Sequence, residues 1–493
     1  MITKIFRKIH KVLGLLLSLL FLMWFLSGIV MIYHSFPRVS QKMRLARQAS
    51  LGGSLSPVDS LFGILPDSAR VAALSVEMYI DRPVFHLQGK QLPAEVYADS
   101  LRPLGIPAFG ELAAIATRLC GTAPSCVDTL NKLDQWIPFG YLTREFPIYK
   151  FHFSDAAGQE IYFSSKTGKI LQWTDRRARF WAWLGAIPHW VYFTSLRQNQ
   201  ELWNRFMVWA SALGTVMCFS GLWVGIWAFR KNRRKGLHSP YRQWWWRWHH
   251  ITGTVFGLFA LTFVFSGMMS LVSLPSWMQK GRRQKEETRF RGRDGGMLPV
   301  DTYLLDYRHI VSSMHDVKSI EWTSFGEHPY YAVNTSCGKI CIDASDSTGL
   351  VPFRLTEPMI HEAVHRMHGS EVPYSVEWLT DWDNDYYSRR GMLTLPVYKV
   401  VLQDEVHTHH YFNPETLYHR RIDDNSRLRG LLYGGFHSLN FRFLAERPLL
   451  WNMLMYTLLL GGTFLSLSGV VMTFGWLRRM WRRWMKRKPM NIY

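Results

Sequence analysis

Residues 8–28 read KIHKVLGLLLSLLFLMWFLSG, an apolar stretch with a histidine near its start and a serine–glycine pair at its end. Residues 248–267 read WHHITGTVFGLFALTFVFSG, so the histidine and the serine–glycine pair recur 239 positions later. A second recurrence relates His189 to His437, which lie 248 positions apart. Internally duplicated membrane proteins fold around a pseudo-two-fold axis. We therefore expect two pseudo-symmetric halves in which equivalent histidines can face each other.

The chain contains four apolar runs long enough to cross a bilayer, which takes about 20 residues in a helix. These runs lie at 12–34, 201–229, 249–274 and 449–477. Polar segments, 35–200 and 275–448, separate the two runs of each half. The first run is too long for a cleaved signal peptide. The pattern predicts an α-helical membrane protein with four transmembrane helices and two domains outside the bilayer.

Basic residues give the chain a formal net charge of +21 at pH 7. Many of them lie beside the apolar runs, in residues 1–11, 230–248 and 478–493. The positive-inside rule makes these segments cytoplasmic and puts both long polar segments outside. A cluster of basic residues at 282–293 opposes this assignment, but long segments translocate largely regardless of charge. We predict a multi-pass protein of a bacterial inner membrane, with both termini in the cytoplasm and no role in nucleic-acid binding.

The cysteines agree with an outer location of the polar segments. Cys120 and Cys126 lie close together in the first segment, and Cys337 and Cys341 lie close together in the second. In an oxidising periplasm each pair could form a disulfide. Cys337 and Cys341 could instead bind a metal, although no further cysteine lies near them. Cys218 is isolated within an apolar run, where a packing role is expected.

The two outer segments also match each other. Matching pairs are 57–59 with 299–301, 82–85 with 328–331, 147–150 with 396–399, and 162–169 with 411–416. Aromatic and β-branched residues followed by turn residues predict antiparallel hairpins. Short helices are predicted between hairpins at 111–120 and 357–368. Each outer segment should form one small α+β domain, or two such units in tandem.

Two of these stretches resemble a known family. The turn Tyr-Phe-Asn-Pro-Glu-Thr at 411–416 resembles the end of a PepSY domain. The stretch at 431–441 resembles the Leu-His-Ser-Leu-Asp-Phe pattern before the last span of PepSY-associated transmembrane proteins. Residues 8–11 and 247–249 resemble the beginnings of other spans in that family, so the resemblance covers essentially the whole chain. It departs at Asn413, usually Asp, and at Leu417, usually Gly, and both departures lie in one turn.

This family is heterogeneous in substrate. It includes iron-regulated inner-membrane proteins and haem-containing reductases of ferric siderophores. The resemblance implies two PepSY-like domains outside the membrane. It also implies an oxidoreductase of the ferric-chelate reductase type that acts in iron acquisition. It does not identify catalytic residues.

Repeat-related histidines lie at both predicted membrane faces. His10 and His249 lie at the starts of the first and third spans, and His189 and His437 precede the second and fourth. Neutral imidazole is a haem-iron ligand, and an ionisable residue at a span boundary is a functional candidate. We predict that each pair binds one haem b, which gives two haems. Interfacial anchoring among basic residues is the alternative for each histidine.

Two other histidines are weaker candidates. His34 closes the first run, but its repeat equivalent is Ser273. His250 follows His249 and lies about 100° away on a helix, so one of the two must point away from the axis. The repeat favours His249 as the ligand, because it is the equivalent of His10.

The interiors of the four runs contain no chain of ionisable residues. Proton pumps and ion-coupled transporters usually need such groups, so this absence disfavours a transport function. Each run instead contains a serine–glycine pair, at 27–28, 220–221, 266–267 and 468–469. Small residues let helices approach closely. They could also leave room for a flat macrocycle, but packing alone explains them.

The segment His361-Glu362-Ala363-Val364-His365 matches the helical motif of zinc proteases. The matching stretch of the first half, 113–117, reads Ala-Ala-Ile-Ala-Thr, which favours a structural helix. Glu377 is too close to His365 to be the usual third ligand. These histidines, with His368, His407, His409 and His410, could bind a metal adventitiously, but a solvated face is the favoured interpretation.

These observations favour a di-haem protein that transfers electrons from the cytoplasmic side to a periplasmic acceptor. The resemblance makes a ferric siderophore or another ferric chelate the expected acceptor. The chain has no dinucleotide-binding fingerprint, so the donor must be external, either a quinol or a soluble flavin reductase. The alternative is a non-enzymatic protein whose anchored PepSY-like domains bind a ligand or regulate a peptidase.

Overall fold

The computed structural model describes residues 1–79, 82–92, 95–233, 239–280, 297–389 and 391–485. Its α-helices are, in chain order, α1 (Ile2–Met31), α2 (Gln41–Arg47), α3 (Val58–Gly63), α4 (Phe109–Cys120), α5 (Arg176–Leu184), α6 (Ala186–Trp190), α7 (Thr194–Arg197), α8 (Gln200–Arg233), α9 (Trp244–Met269), α10 (Tyr307–Ser313), α11 (Glu357–His368), α12 (Asp424–Arg429), α13 (Phe436–Ser438), α14 (Arg442–Ala445) and α15 (Pro448–Met485). A π-helical turn, Gly430–Gly435, precedes α13. The predicted basic cluster at 282–293 and the end of the basic tail, 486–493, lie outside the described residues.

The strands form three antiparallel sheets. They are β1 (Arg70–Tyr79), β2 (Arg82–Lys90), β3 (Glu95–Tyr97), β4 (Cys126–Leu130), β5 (Ile148–His152), β6 (Glu160–Ser164), β7 (Ile170–Thr174), β8 (Val317–Phe325), β9 (His328–Thr335), β10 (Lys339–Asp343), β11 (Tyr374–Leu379), β12 (Val397–Leu402), β13 (His409–Phe412) and β14 (His419–Ile422). The predicted hairpins and the helices α4 and α11 are therefore confirmed.

Helices α1, α8, α9 and α15 are long and apolar enough to span a membrane, with mean hydropathies of 2.4, 1.6, 1.7 and 1.7. They coincide with the four predicted runs, which confirms four helices whose length and composition suit a membrane span. All four extend further than the runs at their basic ends, because the apolar run marks only the part of a helix suited to the bilayer core. Helix α1 begins at Ile2, and α15 continues to Met485.

The four long helices form one bundle. Helix α1 packs along α8 and α15, and α9 packs along the same two helices, so α1 and α9 face each other across the bundle. Phe21, Phe25, Phe263 and Leu458 are among the buried residues of its core. Close approach depends on glycine at some of these contacts: a Cβ added to Gly462 would lie 2.3 Å from the Phe25 ring.

The largest sheet combines strands of both halves, in the order β10-β9-β8-β1-β2-β3. The two hairpins join where β1 pairs with β8, with Val76 opposite Ile320. Both of these residues are fully buried. The sequence predicted separate outer domains. The structure differs because the first hairpin unit of each half completes its sheet with the unit of the other half.

The remaining two sheets each belong to one half. One has the order β4-β5-β6-β7 and the other the order β11-β12-β13-β14. A 12-residue helix precedes each sheet, α4 in the first case and α11 in the second. Apolar side chains of each helix, including Leu112 and Ile360, pack in the core beside the strands. The chain then returns to the bundle through short helices, which bring His189 and His437 to it.

The structure does not contain the expected disulfides, since Cys120, Cys126, Cys337 and Cys341 are free thiols in it. Cys341 is buried in the core beside α11, while Cys337 is exposed. A bridge between them would require one of the two side chains to change its environment. Burial raises the pKa of Cys120 to about 12, which suppresses its reactive thiolate form.

Candidate functional site: two histidine pairs

The structure brings His10 and His249 together at one end of the bundle, with ring centres 6.1 Å apart. His10 lies on α1 and His249 on α9, the two helices that face each other. The Nδ1 atom of His10 lies 2.9 Å from the Met217 carbonyl oxygen of α8. The Nδ1 atom of His249 lies 2.8 Å from the Ser468 hydroxyl of α15. Each histidine is therefore oriented by a neighbouring helix.

His189 and His437 form a second pair at the opposite end, with ring centres 6.2 Å apart. Here the histidines lie on the short helices α6 and α13. Nδ1 of His189 lies 3.1 Å from the Ser27 hydroxyl on α1. Nδ1 of His437 lies 3.2 Å from the Ser266 hydroxyl on α9. Ser27 lies 17 residues after His10, which corresponds to about 25 Å along a helix.

The serine hydroxyls fix the protonation of the rings. Ser27, Ser266 and Ser468 each donate a hydrogen bond to a carbonyl oxygen of their own helix. Their oxygens can then only accept from a histidine, so the histidine Nδ1 must carry a proton. The Met217 carbonyl oxygen beside Nδ1 of His10 can only accept a hydrogen bond, so this Nδ1 also carries the proton. All four rings therefore leave the Nε2 lone pair available, and no residue in the described ranges hydrogen-bonds to these atoms.

A glycine beside each serine makes room for the ring. A Cβ on Gly28, Gly267 or Gly469 would lie 3.5 to 3.7 Å from a histidine Cε1 atom, in ordinary contact. A Cβ on Gly221 would lie only 2.4 Å from Cε1 of His10. The serine–glycine pairs thus form the surfaces against which the four histidine rings pack. Helix packing alone was the predicted role of these pairs, and their recurrence together with the histidines is the sequence signal for the second role.

Tryptophan hydrogen bonds hold the two short histidine helices. The Trp203 indole donates to the Trp190 carbonyl oxygen at 2.8 Å, one residue after His189. The Trp451 indole donates to the Ser438 carbonyl oxygen at 2.9 Å, one residue after His437. Each helix is then followed by a residue with a left-handed backbone conformation, Val191 in the first case and Leu439 in the second. These features set where the chain turns after each histidine.

The ring separations suit two ligands of one metal. Two imidazoles that bind on opposite sides of one metal through bonds of about 2.0 Å, with ring centres about 1.1 Å beyond each nitrogen, have centres about 6 Å apart. The observed separations are 6.1 and 6.2 Å. A metal-bound histidine typically donates its other N–H to an oxygen, as these do. Two imidazoles are also the number of histidine ligands that a six-coordinate bis-histidine haem iron takes.

The two weaker candidates have other contacts. The His34 ring stacks on Trp181, with ring centres 4.4 Å apart. Nε2 of His250 lies 3.1 Å from the Gly225 carbonyl oxygen of α8, so this nitrogen is engaged by the backbone. His250 lacks a free Nε2 atom, and His34 stacks on a tryptophan rather than facing another imidazole.

The zinc-protease motif lies on α11 without the geometry of that site. Glu362, the position of the general base, accepts from Arg366 at 2.9 Å. His361 and His365 contact Tyr374 instead. In the described part of the chain no group of three or more His, Cys, Asp or Glu side chains could hold a metal ion.

The solvated histidine face is only partly present. His410 is 1% exposed and lies between two other imidazoles. Its Nε2 is 2.9 Å from Nε2 of His368, and its Nδ1 is 2.8 Å from Nε2 of His419. Burial and the neighbouring histidines hold the pKa of His410 well below its usual value. His407 faces solvent and contacts Asp424, whereas His409 is half-buried and pairs with Asp385.

No protein-family model matches the chain, and no curated protein matches it.

Proposed function

We propose that this chain is a di-haem electron-transfer protein of the bacterial inner membrane. It would pass electrons from the cytoplasmic side to a periplasmic acceptor, a ferric siderophore or another ferric chelate. The observation that carries the proposal is the arrangement of His10 with His249 and of His189 with His437. In both pairs the Nδ1 atoms are bound to oxygens, the Nε2 atoms are free, and the ring centres are about 6 Å apart.

The donor set fits haem better than a bare metal ion. Each pair offers two imidazoles, and no further His, Cys, Asp or Glu completes a group in the described residues. A porphyrin would supply the four remaining nitrogens. The buried Trp24 indole nitrogen, on α1 between the levels of the two pairs, lacks a hydrogen-bond partner. Such an orphaned donor is consistent with a missing bound group. Haem, when bound, supplies a one-electron ferric/ferrous couple.

The residues of the chain have defined tasks in this proposal. His10 and His249 would hold one haem near the cytoplasmic face, and His189 and His437 would hold the other near the outer face. Buried serines at 27, 266 and 468 orient three of the four imidazoles through their Nδ1–H groups, and the Met217 carbonyl oxygen orients the fourth. The apolar bundle keeps water from the space between the pairs. Equivalent contacts in both halves favour a pseudo-two-fold arrangement.

The outer domains would receive the acceptor. We assign them to the periplasm because basic residues flank the helix ends near His10, and these ends are cytoplasmic by the positive-inside rule. The resemblance to PepSY-associated proteins suggests PepSY-like units for the sheets that follow α4 and α11. The external donor would be a quinol or a soluble flavin reductase.

Transmembrane electron transfer tests this proposal. The purified chain would be reconstituted in liposomes that enclose ferric citrate and a ferrous chelator, with dithionite added outside. We expect the wild-type protein to accelerate ferrous-complex formation over protein-free liposomes. Substitution H249A or H437A should abolish this acceleration, because each removes one ligand of a different pair.

Matched controls are H250Q and H34A, which change the neighbouring histidines outside the pairs. Both should retain the wild-type rate. A wild-type rate in H249A or H437A, or no acceleration by the wild-type protein, would contradict the proposed function.

A further inference from the structure

A second histidine site lies on the outer domain that follows α11, far in sequence from the paired histidines. His361 and His365 are one turn apart on α11, and both reach Tyr374 at the start of β11. Nδ1 of His361 lies 2.8 Å from the Tyr374 hydroxyl oxygen. Nε2 of His365 lies 3.2 Å from the same oxygen. Two imidazole nitrogens and one phenol oxygen therefore converge.

We propose that His361, His365 and Tyr374 form a binding site for a transition-metal ion that accepts a phenolate ligand, Cu²⁺ or Fe³⁺. Ligand atoms about 2.0–2.1 Å from one metal lie about 3 Å from each other. The two observed separations, 2.8 and 3.2 Å, bracket that distance. The site goes beyond the proposed electron transfer and does not depend on it.

Glu357 lies beside the same cluster. Its carboxylate lies 3.7 Å from Nε2 of His361, the ring nitrogen that does not face Tyr374. Metal-bound histidines commonly donate a hydrogen bond from the second nitrogen to a carboxylate. Glu357 would have to approach His361 from 3.7 Å to hydrogen-bond distance to take this role. Glu357 precedes His361 by one helical turn, so α11 itself supplies this partner.

The first half of the chain shows that the fold does not require these donors. Helix α4 has the same 12-residue length as α11 and precedes a sheet with the same strand pattern. At a constant offset of 248 positions, α4 and β4 carry Ala113, Thr117 and Cys126 where the second half carries His361, His365 and Tyr374. The helix packs there without imidazoles. All three donors are thus additions specific to the second half.

The chemistry of the phenol selects the ion. A tyrosine hydroxyl, whose ordinary pKa is about 10, is protonated at neutral pH. A bound ion must displace this proton to solvent, which favours strongly acidic ions. Imidazole suits copper and iron, and Cu²⁺ exceeds Zn²⁺ in affinity at a given nitrogen–oxygen site. The His361 side chain is 44% exposed, so an ion can enter from solution.

Copper titration of the full purified chain tests the site. Cu²⁺ would be added to matched wild-type and variant samples, and bound copper measured by equilibrium dialysis. Difference absorption would detect a phenolate-to-copper charge-transfer band. We expect the double variant H361Q/H365Q to bind one equivalent fewer than wild type. Y374F should lose the band and weaken binding by at least about tenfold, the lower range for loss of even an outer-shell partner.

The control is H309A, since His309 is exposed on α10 and lies outside the cluster. This variant should bind copper as the wild type does. Circular dichroism would verify that all variants fold, and H361A, with alanine as in α4, provides a second variant if the glutamine pair does not. Equal copper binding by wild type and the folded double variant, or an unchanged band in Y374F, would overturn the proposal.

Discussion

Alanine at Gly221 should remove one of the two proposed haems and leave the other. The added Cβ would lie 2.4 Å from Cε1 and 2.5 Å from Nδ1 of His10, whereas ordinary contacts begin at 3.4 Å. The ring must therefore move by about 1 Å, which is several times the roughly 0.2 Å tolerance of a metal–ligand distance. Overpacking of this kind also costs about 1–3 kcal/mol of stability. We expect G221A to hold about half the wild-type haem.

The repeat offers a matched control in Gly469. A Cβ there would lie 3.7 Å from Cε1 of His249, the other histidine of the same pair, in ordinary contact. G469A should therefore keep the wild-type haem content. The assay is haem per protein from the pyridine haemochrome, combined with a redox titration that resolves the two centres. Wild-type haem content and titration in folded G221A would refute the proposed role of His10.

Three further outcomes follow from the contacts of individual side chains. Burial disfavours the charged form of His86, but hydrogen bonds with Glu77 and Glu95 outweigh it and raise its pKa to about 9 from 6.5. Its contribution, at most about 3 kcal/mol for this shift, is complete below about pH 6.5 and lost as the pH rises through 9. The melting temperature of H86Q should therefore decline less steeply than that of the wild type as the pH rises from about 6.5 through 9. Burial lowers the pKa of His410, so this group stabilises the fold above pH 6.5 and ceases to do so as the pH falls. The stability of H410Q should fall less than that of the wild type as the pH is lowered below about 6.5. An equal fall in both proteins would contradict this. S27A removes the hydroxyl oxygen that orients His189, a proposed ligand of the outer haem. The affinity for this haem should fall by about 10–100-fold, measured by haem retention during dialysis with apomyoglobin.

The sequence was sufficient to select the histidines, because the duplication acts as a filter. His10 and His249 occupy equivalent positions, and the structure brings them together. His34 has no histidine equivalent, and its ring stacks on a tryptophan instead. Helix α11 was also predictable, since a 12-residue amphipathic pattern is a local property.

The role of the serine–glycine pairs in positioning the histidines was not predictable from the local sequence pattern. Small residues such as Ser468 and Gly469 suit helix packing as well as ligand orientation, and only the position of His249 separates the two roles. Pairing of β1 with β8 was missed for a related reason. The alternation of a strand defines its buried face but does not specify its neighbour. Tyr374 joins His361 only because β11 folds back against α11.

Haem content of the purified wild-type protein tests the central claim most directly. The protein would be produced in haem-replete cells, and haem and protein would be quantified in the same sample. Two histidine pairs with free Nε2 atoms predict about two haems per chain, both low-spin and six-coordinate. A colourless, folded protein would contradict the account and leave the anchored, non-enzymatic alternative.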